Sequence, residues 1–258
     1  MPADHAPPTT VPAAFAAATA DPARPLLTWY DDATGDRAEL SGATMANWVA
    51  KTANLLRDGC GLGAGDTAVV DAPPHWQTAA VLLGCWTAGL RVADPPPAGG
   101  GSAAEVVFAA ADRLDRYAGG PAEVFGLGLA PLAAPMRAVP PGVADFVTEV
   151  RGHGDHFQPA VPVGPQDPAV PVGPQAPATW FSHAELCADA AARAAAAGLT
   201  PAARVLVDVG ARPDPRDWLL APLVVGAATV LCAHLDPESL PHRLAAERVT
   251  ATVGVAAP

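Results

Sequence analysis

Residues Val161–Ala178 read VPVGPQDPA and then VPVGPQAPA, a tandem nonapeptide whose copies differ only at Asp167 and Ala176. Proline on that period removes backbone donors and fixes φ at about −65°, so the segment suits neither a helix interior nor a central strand. It is expected to be extended, polyproline-like and exposed, a spacer rather than a structural element. The chain is thereby divided into residues 1–158, a linker at 159–178, and residues 179–258, with the two flanking α/β blocks expected to pack as one domain.

Both blocks alternate helix and strand signals. Ser41 is a good N-cap before Met45, Trp48, Val49, Thr52, Leu55 and Leu56, whose spacing predicts an amphipathic helix ending at Gly59. A β run at Thr67–Val70 follows, then a helix over His75–Ala88 stopping at Gly89, then a strand at Leu90–Ala93. Strands at Glu105–Phe108 and Glu123–Leu129 flank a helix at Asp112–Ala118, and Asp145–Arg151 suits a short helix. After the repeat, Ser182 caps a helix over His183–Ala197. Strands at Arg204–Val209, Thr229–Ala233 and Val249–Val255 then alternate with helices at Asp217–Val225 and Pro237–Arg248. Such alternation is the pattern of parallel strands joined by crossovers, so the fold class is α/β with layered, doubly wound, mostly parallel sheets.

Charge narrows the function. The 258 residues carry 15 Lys+Arg against 26 Asp+Glu, a net −11, which argues against a nucleic-acid footprint or a polybasic membrane patch. Lys51 is the single lysine, and its place on the first amphipathic helix predicts a solvent-facing side chain. Cys60, Cys85, Cys187 and Cys232 are too widely spaced for a zinc site or a disulfide framework, so reduced thiols are expected. Met1–Val11 has three prolines and no Lys or Arg, unlike a secretory leader. The most apolar run, Trp218–Ala233, is interrupted by Pro222 and Gly226 and falls short of the roughly 20 residues a bilayer requires. A cytoplasmic location is expected.

Local motifs offer little chemistry. Gly59–Gly65 (GCGLGAG) closes a helix and precedes a strand, the reverse of a dinucleotide fingerprint, so a C-cap and a turn explain it. His153, Asp155 and His156 form a compact ligand-like cluster, but glycines at 152 and 154 predict an irregular solvated loop rather than a metal site. Ser182 and His183 lack a nucleophile elbow, and adjacent helical residues point about 100° apart. The six tryptophans are expected in the core. No catalytic or metal-ligating residue is assigned.

Three segments, in order, resemble the N-terminal part of the adenylate-forming superfamily of acyl-CoA synthetases, peptide-synthetase adenylation domains and luciferases. They are Ala20–Pro25 with the Leu40–Arg57 helix; Gly61–Pro95, GLGAGDTAVVDAPPHWQTAAVLLGCWTAGLRVADP; and Phe181–Val255, with FSHAEL, GLTPAARVLV, APLVVGAATVL, LDPESL and AAERVTATVGV. The sequence is similar also to small actinobacterial proteins of unassigned role with this short layout. The resemblance implies the family's N-terminal fold without its C-terminal domain.

The departures shape the functional expectation. Family members carry a phosphate loop, roughly T-S-G-T-T-G-x-P-K-G, just before the S-H helix, where hydroxyls, backbone N–H groups and a lysine hold phosphates. Here the proline repeat and Ala176–Phe181 occupy that interval, with no lysine. The later parts of the family, including its adenine-contacting segment, ribose-binding aspartate and catalytic lysine, have no counterpart before Pro258. The resemblance therefore implies a binding or scaffolding protein that uses no cofactor. Its alternatives are a divergent ATP-dependent acid-activating ligase, needing ATP, AMP and Mg²⁺, or a sensor of acyl or nucleotide ligands without turnover. Under the ligase alternative Arg193, Arg204 and Arg212 are the candidate phosphate cations. An early end to the sheet predicts an open edge at Thr250–Val255 that pairs with a second copy or a protein partner.

Overall fold

A computed structural model describes residues 7–97, 103–171 and 179–255. The chain opens with α1 (Val11–Ala18), β1 (Pro25–Asp31), β2 (Asp36–Ser41) and α2 (Gly42–Asn54), the last running into a π-helical turn at Leu55–Gly59. Then come β3 (Thr67–Asp71), α3 (Trp76–Ala88), β4 (Arg91–Ala93), β5 (Val106–Ala110), a 3₁₀ segment at Ala111–Tyr117, and β6 (Glu123–Leu127). β7 (Ala144–Asp145), α4 (Phe146–Val150), β8 (Pro168–Pro171) and β9 (Trp180–Ser182) follow, then α5 (His183–Ala196) and β10 (Arg204–Asp208). A π-helical turn at Arg216–Leu220 continues as α6 (Ala221–Val224), and β11 (Ala228–Ala233), α7 (Leu240–Ala246) and β12 (Ala251–Val253) complete the order.

Caps set the helix starts. Ser41 Oγ accepts from the Thr44 amide, and Ser182 with Glu185 forms a full capping box on α5. α3 starts on a histidine instead: His75 Nδ1 accepts from the Gln77 amide at 3.1 Å, inside the core and 4.3 Å edge-on to Trp29. All of α3 except Thr87 is buried, the signature of a helix enclosed on every side. Gly84 lets it approach α2, since a Cβ there would stand 2.5 Å from Thr52 Cγ2.

The strands form two five-stranded sheets and a hairpin. One sheet runs β4-β3-β5-β6-β7, wholly parallel; the other runs β12-β10-β11-β1-β2, parallel except for the β1–β2 pair. Side chains alternate faces as a pleat requires. Ala68, Val106 and Phe108 face the central core while Val69, Val107 and Ala109 face the 3₁₀ segment. Val205 and Val207 likewise face inward, and Leu206 faces outward under α7 with Val230 and Cys232. The helices α1 to α3, α5 and α6 thus fill a layer between the sheets.

The two blocks share a sheet. β1 and β2, from the first block, pair with β11 of the second, Leu27 opposite Thr229 and Trp29 opposite Leu231. The proline repeat also departs from expectation. Pro168–Pro171 is a strand antiparallel to β9, with Ala169 fully buried, because proline tolerates an edge ladder on the side that needs no donor. Residues 172–178 lie outside the described residues. Among the described residues no helix is long and apolar enough to cross a membrane.

Candidate functional site

A cavity of about 740 Å³ opens at the carboxyl ends of β3 and β4, where the strand order turns from β4 to β5. Ligands of open α/β sheets collect in such places. Three residues one helical turn apart on α3, Thr78, Leu82 and Trp86, make one wall. The β8–β9 hairpin contributes Val170, Pro171 and Phe181, tied to α3 by the Trp86 Nε1 bond to the Ala169 carbonyl. The segment after β10 closes the far side with Pro213–Arg216 and Trp218, whose Nε1 donates to the Pro213 carbonyl at 3.0 Å.

Five prolines line this space: Pro74, Pro95, Pro171, Pro213 and Pro215. Their φ angles are fixed, which stiffens the walls, and none of them can offer a backbone N–H. The charged lining residues are Asp94, Asp214 and Arg216. Arg216 is committed: its Nη2 lies 2.6 Å from Asp214 Oδ2 and its Nε 3.0 Å from the same oxygen, with Asp189 Oδ2 3.8 Å from its Nη1. Burial works to raise the Asp214 carboxyl, but hydrogen bonds from the Arg216 side chain and amide hold it below the usual range. Asp94 is exposed at the mouth, fixed in extended backbone by Pro95, and makes no hydrogen bond or ion pair among the described residues. Dehydration against the wall raises its carboxyl, opposed by Arg216 and assisted by Asp214.

The positions singled out in the sequence lie elsewhere. Arg193 bridges Asp189 and Asp217 at 2.8 and 2.7 Å, Arg204 pairs with Glu247, and Arg212 is exposed beside Gly254. The structure does not bring these three arginines together. Lys51 is half-buried rather than solvent-facing, because the 153–156 loop folds over α2 and the His153 carbonyl accepts its Nζ. Asn54 holds the Gly154 and His156 carbonyls at 2.8 Å each, so this loop is a clamp on the α2 end. His183 is buried, its Nδ1 accepting from the Val11 amide, while Ser182 is spent on its cap. Gly61 and Gly65 adopt φ of 71° and 92° in the turn between the π-helical segment and β3. The cavity itself escaped sequence reading; the available trace was two acids flanked by prolines, Asp94-Pro95 and Pro213-Asp214-Pro215.

The described residues that line this cavity do not fit the phosphates of ATP. Two carboxylates face one guanidinium that is already paired, and five lining positions lack the N–H groups an anion cradle needs.

No protein-family model matches the chain. The solved structures similar to it include an acyl-CoA synthetase from Brucella canis, with TM-score 0.72 and 19% identity over 94% of this chain and 46% of that one. The N-terminal domain of FACL13 from Mycobacterium tuberculosis superposes with TM-score 0.67 at 15% identity, covering 93% of this chain and 61% of that one. Apo MatB from Rhodopseudomonas palustris gives 0.67 at 16%, covering 92% and 48%. The chain spans about half the length of these structures and has the fold of the N-terminal domain of adenylate-forming enzymes. A TIGR03089 family protein from Mycobacterium tuberculosis (strain ATCC 25618 / H37Rv) is 43% identical over 235 residues, 90% of this chain and 92% of the relative. At that identity and coverage, the chain belongs to the TIGR03089 family.

Proposed function

We propose that this protein is a non-catalytic binding protein on an adenylate-forming scaffold, located in the cytoplasm, that holds a small apolar ligand in the β3–β4 cavity. The observation that carries this reading is the cavity's composition. It has aromatic and proline walls, and its few polar groups are a committed Asp214–Arg216 pair, a Thr78 hydroxyl bonded to the Pro73 carbonyl at 2.7 Å, and Asp94. Among the described residues no nucleophile–base pair and no lysine line it.

The test combines thermal unfolding with pyrophosphate exchange. A neutral apolar ligand such as n-octanol should raise Tm, by about 5–10 °C once it reaches 100 times its Kd. ATP–Mg²⁺, AMP and CoA should leave Tm in place, and no carboxylic acid should support exchange. Exchange above background would instead establish the ATP-dependent acid-activating ligase. Failure of every apolar ligand to move Tm or tryptophan emission would overturn the binding reading.

A second proposal rests on a different observation. Among the described residues β12 is bonded only to β10, with Ala251, Thr252 and Val253 incompletely buried, and α7 above the sheet buries no residue fully. We propose that a second copy of the chain pairs along this edge. Light scattering at micromolar concentration should report a dimer; a monodisperse monomer would reject it.

A further inference from the structure

We propose that the β3–β4 cavity selects a protonated amine on an apolar body, with the Asp94 carboxylate as the counter-ion at the mouth, and rejects carboxylates and phosphates. The inference rests on the binding reading above and deepens it by naming the ligand's charge.

Three observations converge. The first is the charge balance of the lining, two carboxylates against one guanidinium, which is repeated just behind it where Asp189 and Asp217 flank Arg193. The second is how the charges are spent. Arg216 directs both its Nε and Nη2 at Asp214, so a carboxylate entering the cavity meets a guanidinium whose charge is already paired. Asp94 has no such partner among the described residues and faces the same space. The third is the backbone. An anion site is usually made of convergent N–H groups, and proline at five lining positions removes them there. Beside the Asp214–Arg216 pair stand a carboxylate at the mouth and aromatic walls from Phe181, Trp86 and Trp218. An ammonium carries donors only and is favoured over aromatic faces, whereas a carboxylate would bring a like charge against Asp94. The apolar walls of α3 and the hairpin take the body of such a ligand.

Three probes of equal length separate the alternatives: n-octylamine, n-octanol and octanoate, titrated into the full chain at pH 7.5 by calorimetry and tryptophan fluorescence. Octylamine is expected to bind at least tenfold more tightly than octanoate, with octanol between them. Asp94→Asn should abolish the preference for octylamine over octanol, and a urea midpoint equal to that of the wild type shows that the variant is folded. Octanoate binding as tightly as octylamine, or a preference that survives Asp94→Asn, would overturn the charge assignment while the apolar-binding reading stands. If none of the three binds, both readings fall together.

Discussion

Around Glu247, groups from three strands close on one carboxylate: the Tyr30 hydroxyl at 2.5 Å, Arg37 at 3.1 Å, and Arg204, which also reaches the Thr28 hydroxyl. Around Asp94, the nearest guanidinium is already held by Asp214, and the carboxylate lines the cavity with no hydrogen-bond partner among the described residues. Both regions are built from arginine and carboxylate at the ends of strands. The first joins β1, β2, β10 and the end of α7, and each acceptor oxygen of Glu247 has a donor. The second leaves an acceptor to solvent and to whatever enters the cavity. Paired charge of the first kind fixes a fold, and unbalanced charge of the second kind is available for recognition.

Acid should distinguish the sources of stability by the largest margin. Burial holds His75 down to about 3 and His183 to about 4, against an ordinary value of 6.5. Their folded values lie below the unfolded one, so the stability they contribute is complete above pH 6.5 and is lost as pH falls toward 4. Each can cost up to about 1.4 kcal/mol per pH unit over that window, several kcal/mol in all. Burial works to raise Glu247, but hydrogen bonds from Tyr30, Arg204 and Arg37 hold it down to about 2. Its contribution therefore remains until pH falls below 4.5 and is lost toward 2. Urea midpoints measured from pH 8 to 4 should fall steadily in the wild type and more shallowly in His75→Asn with His183→Asn. An unchanged slope in the double variant would assign acid lability to the carboxylate clusters instead.

Glu247→Ala comes next. Removing one partner of a buried ion pair costs about 3–5 kcal/mol, and the 18% exposure of the Arg204 side chain reduces this to about 2–3 kcal/mol. Chemical denaturation should show that loss, with a fall in Tm of about 5–10 °C. A cost no larger than that of a surface substitution would erase the distinction between the two regions.

The two regions also differ in how far the sequence announces them. Ser41, Ser182 and Gly226 mark helix ends by local chemistry, and every strand expected from the alternation is present at or near its expected place. The partners of those strands are another matter. Nothing within Pro25–Ser41 says that β1 lies against β11, because parallel pairing is decided by packing between segments far apart in the chain. The Pro168–Pro171 strand was hidden by its own prolines, which argue against a central strand and are silent about an edge. Helical periodicity places Lys51 outward and cannot see the 153–156 loop that covers it. The cavity needs β3, α3, β4, the hairpin and the segment after β10 at once, and no single window carries it.

Within the cavity, the Asp214–Arg216 pair should matter little to stability. The two side chains are 31% and 33% exposed, where an ion pair contributes about 0.5–1 kcal/mol. Arg216→Ala should therefore lower the urea midpoint only slightly, and by freeing Asp214 it should strengthen octylamine binding. A loss comparable to that of Glu247→Ala would place Arg216 among the structural charges.

Asp94→Asn should change stability least of all, by less than about 0.5 kcal/mol, as expected for a surface position with no partner to strand. Its backbone is set by the proline that follows, which asparagine tolerates equally. The carboxylate is also partly dehydrated, with attraction from Arg216 set against repulsion from Asp214, so the neutral amide loses one and sheds the other. Equal urea midpoints for wild type and variant, together with loss of the amine preference, would show a charge kept at the cavity mouth for a ligand and not for the fold. A destabilisation above about 1 kcal/mol would mean that Asp94 has a structural partner, and the contrast with Glu247 would then fail at its weaker end.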